Sequence, residues 1–184
     1  MNADAKIADL LSGIVSENND EQIASLDSAI EIANTLAERA VQGLRNRSNR
    51  LFVAERLIKL GFIVVAPLEQ LLISSSDSEE KIVASMVLID LNSRVGVPYL
   101  LDAIETNEDI ACLAAHKLAN ANVTEAVDKI ISRLSRAKLS DIDLVVCLLL
   151  ALKKLNASLP LELNKRFSSD ASPWQIRTLL SSDS

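Results

Sequence analysis

Leu60-Gly61 and Leu91-Asn92 stand 31 residues apart, and so do Pro67 and Pro98. Each pair brackets one pattern: an apolar helix-forming segment, a turn signal, and a second segment that opens near a proline. "NRLFVAERLIKLGF" precedes "VVAPLEQLLISSSD", and "EEKIVASMVLIDLN" precedes "RVGVPYLLDAIETNED". Gly and Asn are the two residue types that tolerate the left-handed conformation in which many helices end. Proline suits a first helical turn, because the amide it lacks has no partner within the helix there. A third copy, "EDIACLAAHKLANAN" then "VTEAVDKIISRLSRA", has Thr124 in place of the proline. A fourth and longer one, "LSDIDLVVCLLLALKKLNA" then "SLPLELNKRFSSD", returns to Pro160. Two helices per repeating unit predict an α-solenoid, since one pair cannot bury its own apolar face and must stack on the next.

Within the second copy Val97, Leu100, Leu101 and Ile104 recur at three- and four-residue steps, which predicts one apolar helix face, with Val97 held in the turn or cap by the proline after it. Upstream, Ile82, Val83, Met86, Val87, Ile89 and Leu91 leave little polar circumference, so that helix must be covered on more than one side. In the first copy Leu68, Leu71 and Leu72 sit about one position off this register. Four Gly and four Pro leave little punctuation for the tight turns of a β-sandwich, so the chain reads as nearly all helix. Its 184 residues and 49% apolar content suit a single domain with a sizeable core.

The segment "VPYLLDAI" at 97–104, preceded by "VASMVLIDL", resembles the short bacterial HEAT-like repeat also found in phycobilin lyases. That repeat has an Ala-rich first helix, then Val-Pro, two small or apolar positions and an acidic residue. "APLEQLL" and "VTEAVDKII" are weaker matches, and the resemblance covers roughly residues 50–168. It implies a right-handed solenoid of about four HEAT-like helix pairs whose second helices line the concave face, where a partner binds. The expected organisation is one domain: capping helices over 1–47, HEAT-like repeats over 48–168, and a C-terminal capping helix over 169–184.

The ends depart from the repeat. Residues 1–17 predict a short helix, and "NNDEQIASLDSAIEIANTLAERAVQGLRNR" a long one capped by Asn19 or Asp20 with acids in its first turn. "ASPWQIRTLLSSDS" predicts a last short helix in which Trp174, Ile176, Leu179 and Leu180 seal the fourth copy, or in which Trp174 is an exposed anchor. The longest apolar run, "LVVCLLLAL" at 144–152, is too short to span a bilayer, and the first residues lack the basic start and apolar core of a secretory signal. A cytoplasmic protein with no membrane contact is the expectation. Cys112 and Cys147 lie inside apolar helical patterns, where free thiols behave as small hydrophobes.

Charge falls in blocks. Residues 1–38 carry −7, 39–60 carry +5, 61–128 carry −8, 129–166 carry +5 and the tail −1. A duplex nucleic-acid reader needs a continuous basic face, as HEAT-like DNA glycosylases have, whereas Glu69, Asp102, Glu105, Glu125 and Asp128 put acids on the second helices. The cluster Arg39, Arg45, Arg47 and Arg50 suits either RNA or an acidic protein, or a solvated helix end.

Catalytic signals are thin. His116 is the single histidine, and Cys112 four residues before it shares a helix face; as half a zinc site the pair would need Glu108 or Asp109 to reach in. Asp141 and Asp143 read as caps ahead of "LVVCLLLAL", and "SSSDSEE" at 74–80 as a linker plus an acidic helix start. No Gly-rich phosphate loop is present in the sequence. No catalytic residue, cofactor or metal is therefore assigned.

The functional expectation is a non-catalytic protein-interaction module binding another protein, a basic one among the candidates, through the concave row: Glu69, Gln70, Tyr99, Asp102, Ala103, Asp128, Lys129, Arg133, Glu162, Lys165 and Arg166. Tyr99 is either an aromatic anchor for that partner or a packing residue against the neighbouring repeat. Two other readings stand beside it. One is an immunity protein whose −8 block steers it to a basic toxin. The other, which the resemblance alone implies, is a phycobilin lyase-like subunit handling an open-chain tetrapyrrole.

Overall fold

A computed structural model of the chain describes residues 3–107 and 109–181. All regular structure among the described residues is helical. In chain order the α-helices are α1 (Ala3–Ile14), α2 (Asn19–Gln42), α3 (Arg50–Leu60), α4 (Val65–Ser74), α5 (Ser78–Asp90), α6 (Val97–Thr106), α7 (Ala111–Asn120), α8 (Ala126–Arg136), α9 (Ile142–Lys154), α10 (Leu161–Ser168) and α11 (Trp174–Ser181). No described helix is long and apolar enough to cross a membrane.

The turn chemistry repeats as the sequence spacing requires. The positive-φ residues among those described are Gly61, Asn92, Asn122 and Asn156, one after each of α3, α5, α7 and α9. Gly61 and Asn92 are the two positions the sequence predicts, though Gly61, at φ 68° and ψ −144°, lies outside the left-handed helical region, in a conformation open essentially to glycine alone. Asn122 and Asn156 add a positive φ after α7 and α9, because Asn accepts it at little cost. Pro98 lies in the first turn of α6. Pro160 sits one residue outside α10 as its N-cap, so its fixed φ sets the entry and not the first turn.

Packing runs from neighbour to neighbour: α3 touches α5, α5 touches α7, α7 touches α9 and α9 touches α11, while α6 touches α8. The core divides into two clusters, with α5 as the wall between them. Val83, Ala84, Val87 and Leu88 face the first cluster with α2, α3 and α4; Ile82, Met86 and Ile89 face the second with α6 to α9. Residues 82–89 are all buried, so the helix that reads as apolar nearly all round is covered on both sides.

Some local expectations need correction. The cap of α2 is Asn18, whose Oδ1 accepts from the Asp20 and Glu21 amides, and not Asn19 or Asp20, which lie inside the first turn. Asp141 occupies the N-cap of α9 without a side-chain capping bond; its Oδ1 accepts from Ser140 Oγ instead. In α6 the buried set is Val97, Leu100, Ala103 and Ile104, and Leu101 is only half-buried. The apolar face is thus turned toward residue 103. At the C-terminal end Ile176 is buried and Leu179 and Leu180 pack beside it, while Trp174 is 66% exposed. The last helix seals the core with its aliphatic residues and leaves its aromatic outside.

Candidate interaction surface

The second helices hold the side chains expected to meet a partner, and several are already bonded inside the molecule. Lys129 on α8 pairs with Glu105 at 3.4 Å. One turn on, Arg133 Nη1 donates to the Glu105 carbonyl at 3.2 Å. Arg166 on α10 donates to the carbonyls of Leu134 (3.4 Å), Ser135 (3.1 Å) and Ala137 at the end of α8. Its guanidinium also lies 5.2 Å from the Phe167 ring centroid. These cations answer the unpartnered carbonyls and negative dipole that every helix C-terminus presents. Glu69 on α4 is half-buried and accepts from Ser93 Oγ at 3.2 Å.

Two members of the expected set belong to the interior. Ala103 is 1% exposed and offers a partner no surface, because the α6 face is centred one step further round than the sequence phase suggested. Tyr99 is half-buried against the first core cluster, and Lys81 Nζ lies 5.7 Å from its ring centroid. Of the two roles open to Tyr99, packing against the neighbouring unit is the one its surroundings describe. The remainder stays exposed: Gln70, Asp102, Asp128, Glu162 and Lys165. Gln70 borders a groove of about 370 Å³ between α2 and α4, with Val41, Ala66, Pro67 and Leu71 as its apolar lining and Glu38, Gln42, Arg45 and Ser74 as its polar one.

The arginine cluster folds back on the chain. Arg50 is buried and donates to the Leu44 carbonyl at 2.7 Å, to Asp77 at 2.9 Å and to Glu79 at 3.3 Å. Arg47 lies 3.4 Å from Asp77, and Arg45 lies 4.0 Å from Glu80. Asp77 caps α5 by accepting from the Glu79 and Glu80 amides. The Arg50 hydrogen bond, then the amide bonds, hold its carboxyl down at about 2. The "SSSDSEE" segment is thus both an acidic helix start and the counterpart of the basic cluster. Three of the four arginines are paired, Arg45 and Arg47 on the surface and Arg50 in the interior, while Arg39, exposed in the last turn of α2, has no ion pair among the described residues.

His116 is exposed and shares a 2.9 Å hydrogen bond with Asn120. Among the described residues no group of three His, Cys, Asp or Glu is placed to hold a metal ion; Glu108 lies outside the described residues. Cys112 and Cys147 are free thiols on the packed helices α7 and α9, with Cys147 Sγ donating to the Cys112 carbonyl at 3.4 Å.

The hairpin of α1 and α2 is the element that the sequence predicts as an N-terminal cap. Its aliphatic residues Ile7, Leu11, Ile23, Leu26 and Ile30 are exposed. The signal was present in the chain, because Ile23, Leu26, Ile30, Ala33, Ala37 and Val41 recur at helical steps.

No family model, curated protein or solved structure matches the chain. Its function is therefore argued from its own residues.

Proposed function

We propose that the chain is a protein-interaction module on a right-handed solenoid of four HEAT-like helix pairs, with its second helices on the concave side. The neighbour-to-neighbour contacts of the first helices and the recurrence of a positive-φ residue after each of them support the repeat reading. One observation carries the functional reading: the charges of the second-helix row are sorted. Glu69, Lys129, Arg133 and Arg166 are engaged inside the molecule, and the exposed remainder holds Asp102, Asp128 and Glu162 against Lys165 and Arg136, the last bonded, among the described residues, only to Ser132 one turn back. An acidic row of this kind steers a basic partner and sets its register more than it adds affinity.

The test is capture of partners from cytosol, followed by surface plasmon resonance of each captured protein at two salt concentrations. Reversing Asp102 and Asp128 to Lys is expected to slow association about tenfold and to flatten its salt dependence. Wild-type kinetics in that variant for every captured protein would remove the row as the binding face. The same acidic remainder fits a basic nuclease-type toxin, which makes an immunity protein the second reading. Inhibition of a toxin encoded beside this chain, lost in the same charge-reversed variant, separates it from a general scaffold.

A further inference from the structure

The face of α2 that packs into the protein continues, uncovered, beyond the point where the packed core ends. Ile23, Leu26, Ile30, Ala37 and Val41 share one side of this 24-residue helix. At the lower end Ala37 and Val41, with Leu44 just beyond, are buried in the first core cluster. At the upper end Ile23, Leu26 and Ile30 are 43–58% exposed. Helix α1 covers only the adjoining face: Gly13 abuts Ser25, so closely that a Cβ there would meet Ser25 Oγ at 1.9 Å, and Gln22 Nε2 donates to the Ile14 carbonyl at 2.9 Å. With α1 antiparallel to α2 across this contact, Ile7 and Leu11 fall on the same side as the three exposed residues of α2. Five large aliphatic side chains then line one shallow groove. Contiguous exposed apolar surface of this kind marks interaction sites on soluble proteins.

We propose that this groove receives a cationic amphipathic helix from another protein. The charge beside it selects that occupant. Asp20, Asp27, Glu31 and Glu38 form an exposed column along α2 next to the apolar stripe, and residues 1–38 together carry −7. A second copy would bring the same acidic region against its own kind, and an anionic membrane surface would be repelled in the same way. A helix with an apolar stripe and flanking Lys or Arg meets both features, its aliphatic residues seated on Ile23, Leu26 and Ile30 and its cations on the acids. The 12 residues of α1 set a groove length of roughly 18 Å, or about three helical turns of ligand. Continuity supports the mode, because over Ala37 and Val41 the same stripe is already covered by packed helices of this chain.

The probe is a fluorescein-labelled Leu/Lys peptide of roughly four helical turns with amphipathic spacing, beside one of the same composition in scrambled order. Both are titrated against the full chain by fluorescence anisotropy. The amphipathic peptide is expected to bind at least about tenfold tighter than the scrambled one, and Ile23→Ser/Ile30→Ser to remove about that factor. Asp27→Asn/Glu31→Gln is expected to weaken binding and flatten its salt dependence. Both apolar positions are solvent-exposed, so circular dichroism of the variant should match wild type; if it does not, Leu11→Ser decides by the same readout. Equal affinity for the scrambled peptide, or wild-type affinity in the apolar variants, overturns the proposal. Peptide binding that survives in the hairpin variants and disappears in Asp102→Lys/Asp128→Lys moves the site to the second-helix row, so the two readings fail separately. A concentration-dependent dimer in sedimentation, abolished by Ile23→Ser/Ile30→Ser, assigns the face to a second copy instead. Flotation with phosphatidylglycerol vesicles, abolished by the same change, assigns it to a membrane.

Discussion

Arg133 and Arg166 stand 33 residues apart on α8 and α10, and each reaches back to the carbonyls that close the preceding second helix. Arg133 bonds the Glu105 carbonyl at 3.2 Å, and Arg166 bonds that of Ser135 at 3.1 Å. The two residues use the same device. Each ties its helix to an earlier one, α8 to α6 and α10 to α8, through carbonyls that would otherwise be left to water.

Removing that tie is expected to cost stability. Each arginine is half-buried and bonds carbonyls through a charged donor, so Arg166→Ala should lower the unfolding free energy by about 1–3 kcal/mol. Arg166→Lys should recover only part of this, because one ammonium cannot reproduce a planar fork that serves several carbonyls. Urea denaturation followed by circular dichroism checks both. A change near zero for Arg166→Ala would mean that the carbonyls are equally well served by water.

Gly96 is required for a steric reason. Its φ of −74° is ordinary, but a Cβ there would stand 2.8 Å from both the Cα and the carbonyl oxygen of Ser85 on α5. Those atoms are backbone and cannot rotate away. Gly96→Ala should therefore cost about 2 kcal/mol or more, and trimming Ser85 should not rescue it. Ser85 itself is fully buried, with its Oγ lacking a hydrogen-bond partner among the described residues. Ser85→Ala should then be neutral or stabilising, since it removes a desolvated hydroxyl without breaking a bond. Thermal melts of the three variants test the pattern.

Asp77 makes stability depend on pH at the acid end. Its carboxyl sits at about 2 in the folded chain against an ordinary 3.8, chiefly because Arg50 donates to it. A folded value below the unfolded one means that the contribution is complete above about pH 4 and is lost as pH falls toward 2. Urea midpoints measured across that window should fall for the wild type. Asp77→Asn should be less stable at neutral pH and should show a shallower decline through the same window. An unchanged decline would assign the acid limb to other carboxylates.

Much of this was legible in the chain, and the parts that were not have a common cause. Gly61 and Asn92 announce helix ends because few residue types accept positive φ, and the reading extends to Asn122 and Asn156 by the same rule. The buried run of α5 is plain from residues 82–89, which are apolar but for Ser85. The arginine cluster shows the opposite case. Arg45, Arg47 and Arg50 could be read as a surface for an external acid, because the Asp77, Glu79 and Glu80 that meet them lie 27 to 35 residues on and come close only through the fold. Lys129, Arg133 and Arg166 look like partner contacts in the sequence for the same reason. Ala103 is hard to place because alanine carries no pattern of its own: the Leu100 and Leu101 pair leaves the helix phase open by one step. The stripe on α2 was visible, but whether a stripe is covered depends on neighbours that its own sequence does not describe.

The two thiols offer a check on the packing of α7 against α9. Cys147 Sγ donates to the Cys112 carbonyl at 3.4 Å, and both residues are half-buried. A side-chain hydrogen bond between the two thiols, distinct from the one to the carbonyl, draws Cys112 below its ordinary range, while that bond and burial push Cys147 far up. Thiolate is the reactive form, so Cys112 should take iodoacetamide first, with Cys147 at least about tenfold slower. Peptide mass spectrometry after timed quenching reads both rates. Cys147→Ser keeps a donor at that place and should leave Cys112 fast, whereas Cys147→Ala removes the donor and should slow it toward an ordinary thiol of about 8.5. Equal labelling of the two cysteines, or a Cys112 rate indifferent to Cys147→Ala, would mean that the sulfurs do not meet across this helix interface.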